Sequence, residues 1–344
     1  MLKMKKHNKY INRTFYLAEK GLGHVLSNPL VGCIIVKNNE IIGEGFHQKY
    51  GEAHAEINAI NSIKDKKQIK GSSIYINLEP CSHHGKTPPC VNSLIKFEPK
   101  EVIISNIDPN PSVNGRGIKK LRDNNIEVIT GILEDYGKFL NRRFFYNHKK
   151  NLPYIILKWA ETKDGFIARK NGDSKWISNE MSRSYVHRWR SQEVGILVGV
   201  DTANKDNPRL NVRNWNGNHP IRIILDPNSR LKENLNIYEG PNITFIYNRK
   251  LQKEEGNVKF IKINSFDLDL ILNDIYCKGI SSILVEGGTK TINYFIEKNL
   301  WNEARIFKSN INFIKGIDSP KINTDKYEYH NILGDELYII QNNA

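Results

Sequence analysis

His54, Glu56, Cys81 and Cys90 are the residues of this chain best equipped for chemistry. His54-Ala55-Glu56 sets an imidazole two residues from a carboxylate; Cys81, in Pro80-Cys81, follows the histidine by 27 residues, and Cys90, in Pro89-Cys90, follows by nine more. One imidazole and two thiolates are good zinc ligands, and three protein ligands leave a fourth tetrahedral position to water. Zinc brings the pKa of such a water close to neutrality, so hydroxide becomes available as a nucleophile. Glu56 is then suited to carry a proton from the attacking water to a leaving amine. The chemistry is hydrolytic replacement of an exocyclic amine by oxygen.

His-x-Glu, then Pro-Cys, then a second Cys is the order in which zinc-dependent nucleobase deaminases use these groups, with two residues usually separating the cysteines. The wider gap here is itself informative, because His83, His84 and Lys86 lie inside it. A structural zinc is the competing reading; it requires a fourth ligand, which His83 or His84 could supply. The second half offers fainter signals. Glu286-Gly287-Gly288 follows the apolar run 282–285 and precedes a helical pattern over 292–297. A strand, a glycine pair and a helix N-terminus can bind phosphate. This is not Gly-x-Gly-x-x-Gly, and a simple tight turn also accounts for it.

Elements must bring these groups together. Tyr10, Phe15, Leu17 and Ala18 predict a helix over 9–20. Residues 31–36 and 40–46 predict a hairpin about Lys37-Asn38-Asn39. A helix is expected over 54–64 with His54 and Glu56 in its first turn, a strand over 74–78, and a helix from Pro88-Pro89 through Ile95. Two helix N-termini would then face each other across the metal, their dipoles favouring thiolates. Strands at 101–105 and 127–130 and helices at 117–124 and 134–145 complete an α/β layered domain. The charged stretch 147–152 is read as a linker between domains at 1–146 and 153–344. Strands at 154–157, 194–198, 221–225, 243–247, 282–285 and 337–340 build the second domain.

Composition sets the bounds. A chain of 344 residues is long for one core, so two domains are expected. An apolar content of 39% supports globular folding. No run of eighteen apolar residues suggests a spanning helix, and the basic N-terminus lacks the features of a signal peptide; a cytoplasmic location is expected. The four cysteines suggest no disulfide framework, and Cys33 and Cys277 are read as small core residues. The net charge is +14, with 24 Lys and Arg against 14 Asp and Glu in residues 1–150 and 27 against 23 in the rest. Attraction to phosphates is one reading; a drift towards Lys, Asn and Ile is the other. No arginine-rich run or aromatic stripe marks a nucleic-acid binder, so neither nucleic acid nor membrane is expected as a partner.

Longer motifs carry a family resemblance. Asn28-Pro29-x-Val31-Gly32-Cys33, Gly43-Glu44-Gly45-x-His47, His54-Ala55-Glu56 and the unbroken run Leu78 to Cys90 resemble the bifunctional riboflavin-biosynthesis deaminase–reductase family, as does Asp108-Pro109-Asn110-Pro111 followed by Gly115-Arg116-Gly117. The resemblance implies an N-terminal cytidine-deaminase-like α/β/α domain and a C-terminal dihydrofolate-reductase-like α/β domain. It implies zinc on His54, Cys81 and Cys90, acid–base work by Glu56, and a phosphoribosyl pyrimidine substrate met by Asn28, His83 and Lys86. In the second domain it implies NADPH contacts from Ala160, Trp176, Thr202, Asp206 and Gly288. Substrate contacts would come from Ser174, Arg190, Leu210, Arg213 and Glu286, with Lys158 polarising or protonating the ribose oxygen. Family members form dimers or tetramers through the reductase half, so a homo-oligomer is expected.

The chain departs from the family pattern at Glu161, at Lys163 and at Trp301-Asn302-Glu303. Two rival functions are weighed. A tRNA or nucleotide deaminase with an accessory domain suits the basic first half but not the long inter-cysteine loop. A zinc-stabilised RNA-binding module leaves Glu56 unexplained.

Overall fold

A computed structural model describes residues 2–83, 88–174 and 177–342. The chain divides into two compact units, Met1–Lys150 and Asn151–Ala344. The first comprises α1 (Leu2–Glu19), β1 (Gly32–Lys37), β2 (Glu40–Phe46), α2 (Ala55–Asn61), β3 (Ser73–Leu78), α3 (Cys90–Lys96), β4 (Glu101–Asn106), α4 (Arg116–Asp123), β5 (Glu127–Thr130), α5 (Glu134–Leu140) and α6 (Arg142–Lys150). Its sheet has the order β2-β1-β3-β4-β5, antiparallel through β1 and parallel from β3 to β5.

Both faces of this sheet are covered, which is why β1 and β3 read as unbroken apolar runs rather than alternating ones. Cys33, Ile35, Ile74, Ile76, Val102 and Ile104 pack with Ala59 and Ile60 of α2, Val91 and Leu94 of α3, and Ile118 and Leu121 of α4. Ile34, Val36, Tyr75 and Ile103 point the other way, onto Ile11 and Phe15 of α1. The layers are α/β/α. Gly45 lets α2 lie directly on β2: a Cβ there would stand 2.3 Å from the Ala59 nitrogen. Residues 147–150 are not linker but the end of α6, where Phe144 and Asn147 are buried; the division falls after Lys150.

The second unit comprises β6 (Tyr154–Glu161), β7 (Phe166–Arg169), α7 (Glu180–Gln192), β8 (Gly195–Gly199), α8 (Val200–Asp206), β9 (Ile221–Leu225), β10 (Thr244–Asn248), β11 (Lys253–Glu255), β12 (Val258–Lys262), α9 (Leu268–Cys277), β13 (Ser282–Gly287), α10 (Thr289–Glu297), β14 (Glu303–Lys308), β15 (Gly316–Asp318), β16 (Glu328–Ile332) and β17 (Asp335–Gln341). One ten-stranded sheet has the order β11-β12-β10-β9-β8-β13-β6-β14-β17-β16. It is parallel from β12 to β14 and antiparallel at both margins.

Leu268, Ile271, Leu272 and Ile275 of α9 and Ile292 and Phe295 of α10 pack on one face, against Ile155, Leu157, Leu197, Ile223 and Ile283. Ala203 of α8 packs with Ile196, Val198 and Ile224 on the other, where Trp189 of α7 stacks on Phe307. From β8 the chain passes through α8 to β9 on one side; from β13 it passes through α10 to β14 on the other. Connections therefore diverge between β8 and β13, and a crevice opens beyond the carboxyl ends of open α/β strands at such a point. Cys277, expected in the core, is instead exposed at the end of α9.

Candidate active sites

In the first unit three separate elements deliver the metal-binding set. His54 is the N-cap of α2 with extended backbone, Cys81 follows β3, and Cys90 opens α3 after Pro89. The His54 Nδ1 stands 3.6 Å from the Cys81 Sγ and 3.3 Å from the Cys90 Sγ, and the three donor atoms lie within 4.8 Å of one another. Ligands at about 2.0–2.3 Å in a tetrahedron stand roughly 3.5 Å apart, so the donors fit a zinc ion without rearrangement. The Cys90 backbone N–H also donates to the Cys81 Sγ at 3.2 Å. Hydrogen bonds from Cys90 and then His54 hold the Cys81 thiol well below its ordinary pKa, while that same Cys90–Cys81 contact and burial push Cys90 up.

Glu56 sits in the first turn of α2 and is 3% exposed. Burial above all, then the charge of Cys81, pushes its carboxyl up to about 7, against the pull of His54. A carboxyl poised near neutrality can both accept and return a proton. Asn28 is half-buried and donates through Nδ2 to the His47 Nε2 at 3.0 Å. The other His47 nitrogen meets the Ala53 carbonyl at 3.2 Å, and its ring lies edge-on to His54 at 5.4 Å. His47 thus ties Asn28 to the metal-binding histidine; its place in Gly43-Glu44-Gly45-x-His47 is the only sequence signal for that role.

Glu79, inside the run from Leu78 to Cys90, carries no sequence signal of its own for a role at the site. Its buried carboxylate accepts backbone N–H bonds from Asp108 (3.3 Å), Gly115 (2.9 Å), Gly117 (3.0 Å) and Ile118 (3.2 Å). It therefore holds the 108–118 loop against the strand end that carries Cys81. His83 is exposed; Lys86 and the alternative ligand His84 lie outside the described residues.

In the second unit, Lys158 on β6, Glu286 on β13 and Arg190 on α7 converge. Arg190 forks onto Glu286, Nε to Oε1 at 2.6 Å and Nη2 to Oε2 at 2.7 Å, and its Nη1 donates to the Asn211 carbonyl at 3.1 Å. The Lys158 Nζ stands 3.9 Å from the Glu286 Oε2. Burial works to raise the Glu286 pKa, but Arg190 and then Lys158 overcome it and bring it down to about 2. Burial lowers the Lys158 pKa, against the support of Glu286. His187, one turn before Arg190, accepts from the Arg213 backbone N–H at 3.4 Å and is lowered to about 4 by burial and then by Arg190 and Arg213. Arg213 is an exposed residue whose pKa is lowered by the partial burial of its guanidinium and then by Arg190 and Arg209.

The remaining expected residues fall around the β8–β13 crevice or outside it. Thr202 lies in α8, Asp206 ends that helix, and Gly288 caps α10 with φ +69°. Cβ atoms at Gly199 and Gly287 would stand 2.4 Å from the Thr291 Oγ1 and 2.9 Å from the Thr202 Cγ2, so these glycines let the two helix starts interlock beside the crevice. A dinucleotide fits such a cradle at a switch point. Ala160 is half-buried near the end of β6, Ser174 is exposed, and Leu210 is buried with φ +47°. Trp176 lies outside the described residues. The departures are accommodated: Glu161 accepts from the Trp159 indole at 2.9 Å, and the Asn302 Oδ1 takes the Ile155 N–H at 2.7 Å, joining β6 to the start of β14.

Comparison with known proteins agrees with both halves. Residues 4–106 match the cytidine and deoxycytidylate deaminase zinc-binding region, and residues 153–310 match the RibD C-terminal domain. The chain is 38% identical over 305 residues to riboflavin biosynthesis protein RibD of Aquifex aeolicus, covering 87% of this chain and 85% of that protein. It is 34% identical to the RibD of Escherichia coli, covering 87% and 86%. The crystal structure of a diaminohydroxyphosphoribosylaminopyrimidine deaminase/5-amino-6-(5-phosphoribosylamino)uracil reductase from Thermotoga maritima is similar over 98% of this chain and 99% of that one, at 35% identity and a TM-score of 0.90. Among the described residues no helix is long and apolar enough to cross a membrane. Similarity at this level along nearly the whole chain, over a zinc-deaminase half and a reductase half, means that the chain belongs to the RibD family of bifunctional riboflavin-biosynthesis enzymes.

Proposed function

We propose that the first unit hydrolytically deaminates 2,5-diamino-6-ribosylamino-4(3H)-pyrimidinone 5′-phosphate. The second unit then reduces the ribosyl group of that product with NADPH, giving 5-amino-6-ribitylaminouracil 5′-phosphate. The observation that carries the reading is Glu56, buried beside the His54–Cys81–Cys90 donors, in one chain with the Lys158–Glu286–Arg190 cluster.

Zinc held by His54, Cys81 and Cys90 would supply an acidified water. Glu56, buried beside those donors, would take a proton from that water and return it to the departing amine. Asn28, fixed by His47, and the loop bearing His83 and Lys86 bind the phosphoribosyl pyrimidine.

In the second unit, Ala160, Trp176, Thr202, Asp206 and Gly288 would hold the nicotinamide cofactor, which would supply a hydride to the anomeric carbon of the sugar. Lys158 stabilises and protonates the ribose oxygen, and Glu286 orients Lys158. Arg190 and Arg213, with Ser174 and Leu210, hold the substrate and its phosphate. We read the substrate as a small molecule rather than a nucleic acid, and the enzyme as a cytoplasmic homo-oligomer. A coupled assay with the diaminopyrimidine, following ammonia and NADPH separately, tests the reading. Both signals are expected in sequence; ammonia from tRNA but not from the nucleotide would replace it with the rival deaminase.

A further inference from the structure

We propose that His187 is a positioning residue of the second unit: with Arg190 from the same face of α7, its imidazole holds the 211–213 backbone so that the Arg213 guanidinium meets the substrate phosphate. The proposal rests on the reading of Arg213 as a substrate contact, and adds what aims it.

Arg213 is an exposed residue in the loop between α8 and β9. A long side chain on a loop binds well only if its backbone is already fixed, because ordering both at once costs conformational entropy. Leu210, in the same loop, is 2% exposed and has φ +47°. A leucine in the left-handed region persists only where its surroundings hold it. Three side chains fasten the residues that follow it. The Arg190 Nη1 donates to the Asn211 carbonyl at 3.1 Å, the His219 Nδ1 accepts from the Val212 N–H at 3.1 Å, and the His187 Nδ1 accepts from the Arg213 N–H at 3.4 Å. The Asn211 Oδ1 in turn accepts from the Arg213 Nη1 at 3.2 Å. The guanidinium is therefore aimed by a residue whose own backbone α7 holds.

His187 and Arg190 lie one turn apart on α7 and share a face; His187 is 4% exposed. The charged groups that face its ring are Arg190 on its own helix, Arg213 on the loop and Glu286 on β13. Burial and then the two arginines bring its pKa down to about 4, against Glu286 and the Asn211 carbonyl. The ring is therefore neutral at pH 7, and accepting through Nδ1 places its proton on Nε2. The residue type follows from the task. A carboxylate could accept the same bond but would neutralise an arginine that must meet a phosphate, and a lysine or arginine has no acceptor. A neutral imidazole fixes the backbone and leaves the Arg213 charge to the substrate.

The test measures reductase kinetics of the full-length protein with the deaminated phosphoribosyl pyrimidine. His187→Leu should raise KM about 10-fold, the scale of one hydrogen bond. Its kcat should change little, as when binding common to ground and transition states is lost. His187→Asn, whose amide oxygen stands where Nδ1 does, should restore the wild-type KM; a role in packing alone would leave the two variants alike. In an Arg213→Ala background, His187→Leu should raise KM no further, because the two residues act through one contact. NADPH affinity and deaminase turnover should not move in either His187 variant. Should His187→Leu unfold the second unit, His187→Gln, with its amide oxygen at the Nε2 position, is read in its place. An unchanged KM in the variant lacking the Nδ1 acceptor, a fall in kcat instead of the rise in KM, no rescue by asparagine, or a further rise in the Arg213→Ala background overturns the proposal while the substrate role of Arg213 stands. Arg213→Ala with a wild-type KM removes that role, and its positioning by His187 falls with it.

Discussion

Glu286→Gln is the substitution whose cost can be worked out most directly. The carboxylate is nearly buried, its side chain 6% exposed, and it carries the Arg190 fork with Lys158 alongside. Its pKa falls from an ordinary 4.5 to about 2, which at about 1.4 kcal/mol per pH unit is worth roughly 3 kcal/mol. The amide keeps the shape but loses the charge, leaving buried Arg190 without its counter-ion, and breaking such pairs costs about 3–5 kcal/mol. For a unit of this size each kcal/mol moves the thermal midpoint by about 2–4 °C, so the second unit should unfold roughly 10 °C lower. The sign with pH is definite. A depressed carboxylate pKa contributes stability fully present above the unfolded value and lost as pH falls through the folded one. The gap between wild type and Glu286→Gln should therefore be widest at pH 7 and should close between about 4.5 and 2. Chemical denaturation at several pH values measures it, with deaminase turnover as the internal control for the first unit. A gap below about 1 kcal/mol at pH 7, or one unchanged down to pH 2, would refute the electrostatic account.

Glu56→Ala should abolish ammonia release while elemental analysis still finds zinc bound; loss of the metal, or undiminished deamination, would remove the proton shuttle from the mechanism. Cys90→Ser should lose both zinc and deamination while NADPH oxidation with the deaminated substrate continues. Lys158→Ala should lower reductase turnover about 10²–10⁴-fold, the range typical of a positioned acid, with NADPH still quenching protein fluorescence; full turnover would discard the role given to Lys158. Glu79→Ala orphans four backbone N–H groups and should cost the first unit several kcal/mol; hydrogen exchange should rise first over 108–118, and unchanged protection there would show that another group holds the loop.

The first unit was legible because each of its signals is local. A histidine and a glutamate two apart, prolines before cysteines, and apolar runs between turn residues report their own surroundings. Helix ends were less so: α2 begins after His54 rather than with it. The stretch from Asn147 to Lys150 looked like linker because it is charged, yet burial of Asn147 holds it in α6. In the second unit most parallel strands announced themselves as apolar runs. β14 did not, because it carries Glu303 and Arg305, which pair with each other in the interior. Cys277 could not be placed from its neighbours, since the face of α9 that meets the sheet is set by Leu272 and Ile275.

The zinc ligands, the proton-carrying glutamate and the two-domain plan were written in the sequence, because metal chemistry demands particular residue types in a particular order. What tertiary structure decided is how far each group is changed by its neighbours. Burial lifts Glu56 towards neutrality, and a partner 96 residues away in sequence brings Glu286 down to about 2. Two backbone N–H groups of the following loop hold the buried Asp226 carboxylate at the end of β9. Residue type fixes what a group can do; desolvation and charges brought together by folding set its proton affinity and its direction, and neither follows from spacing along the chain.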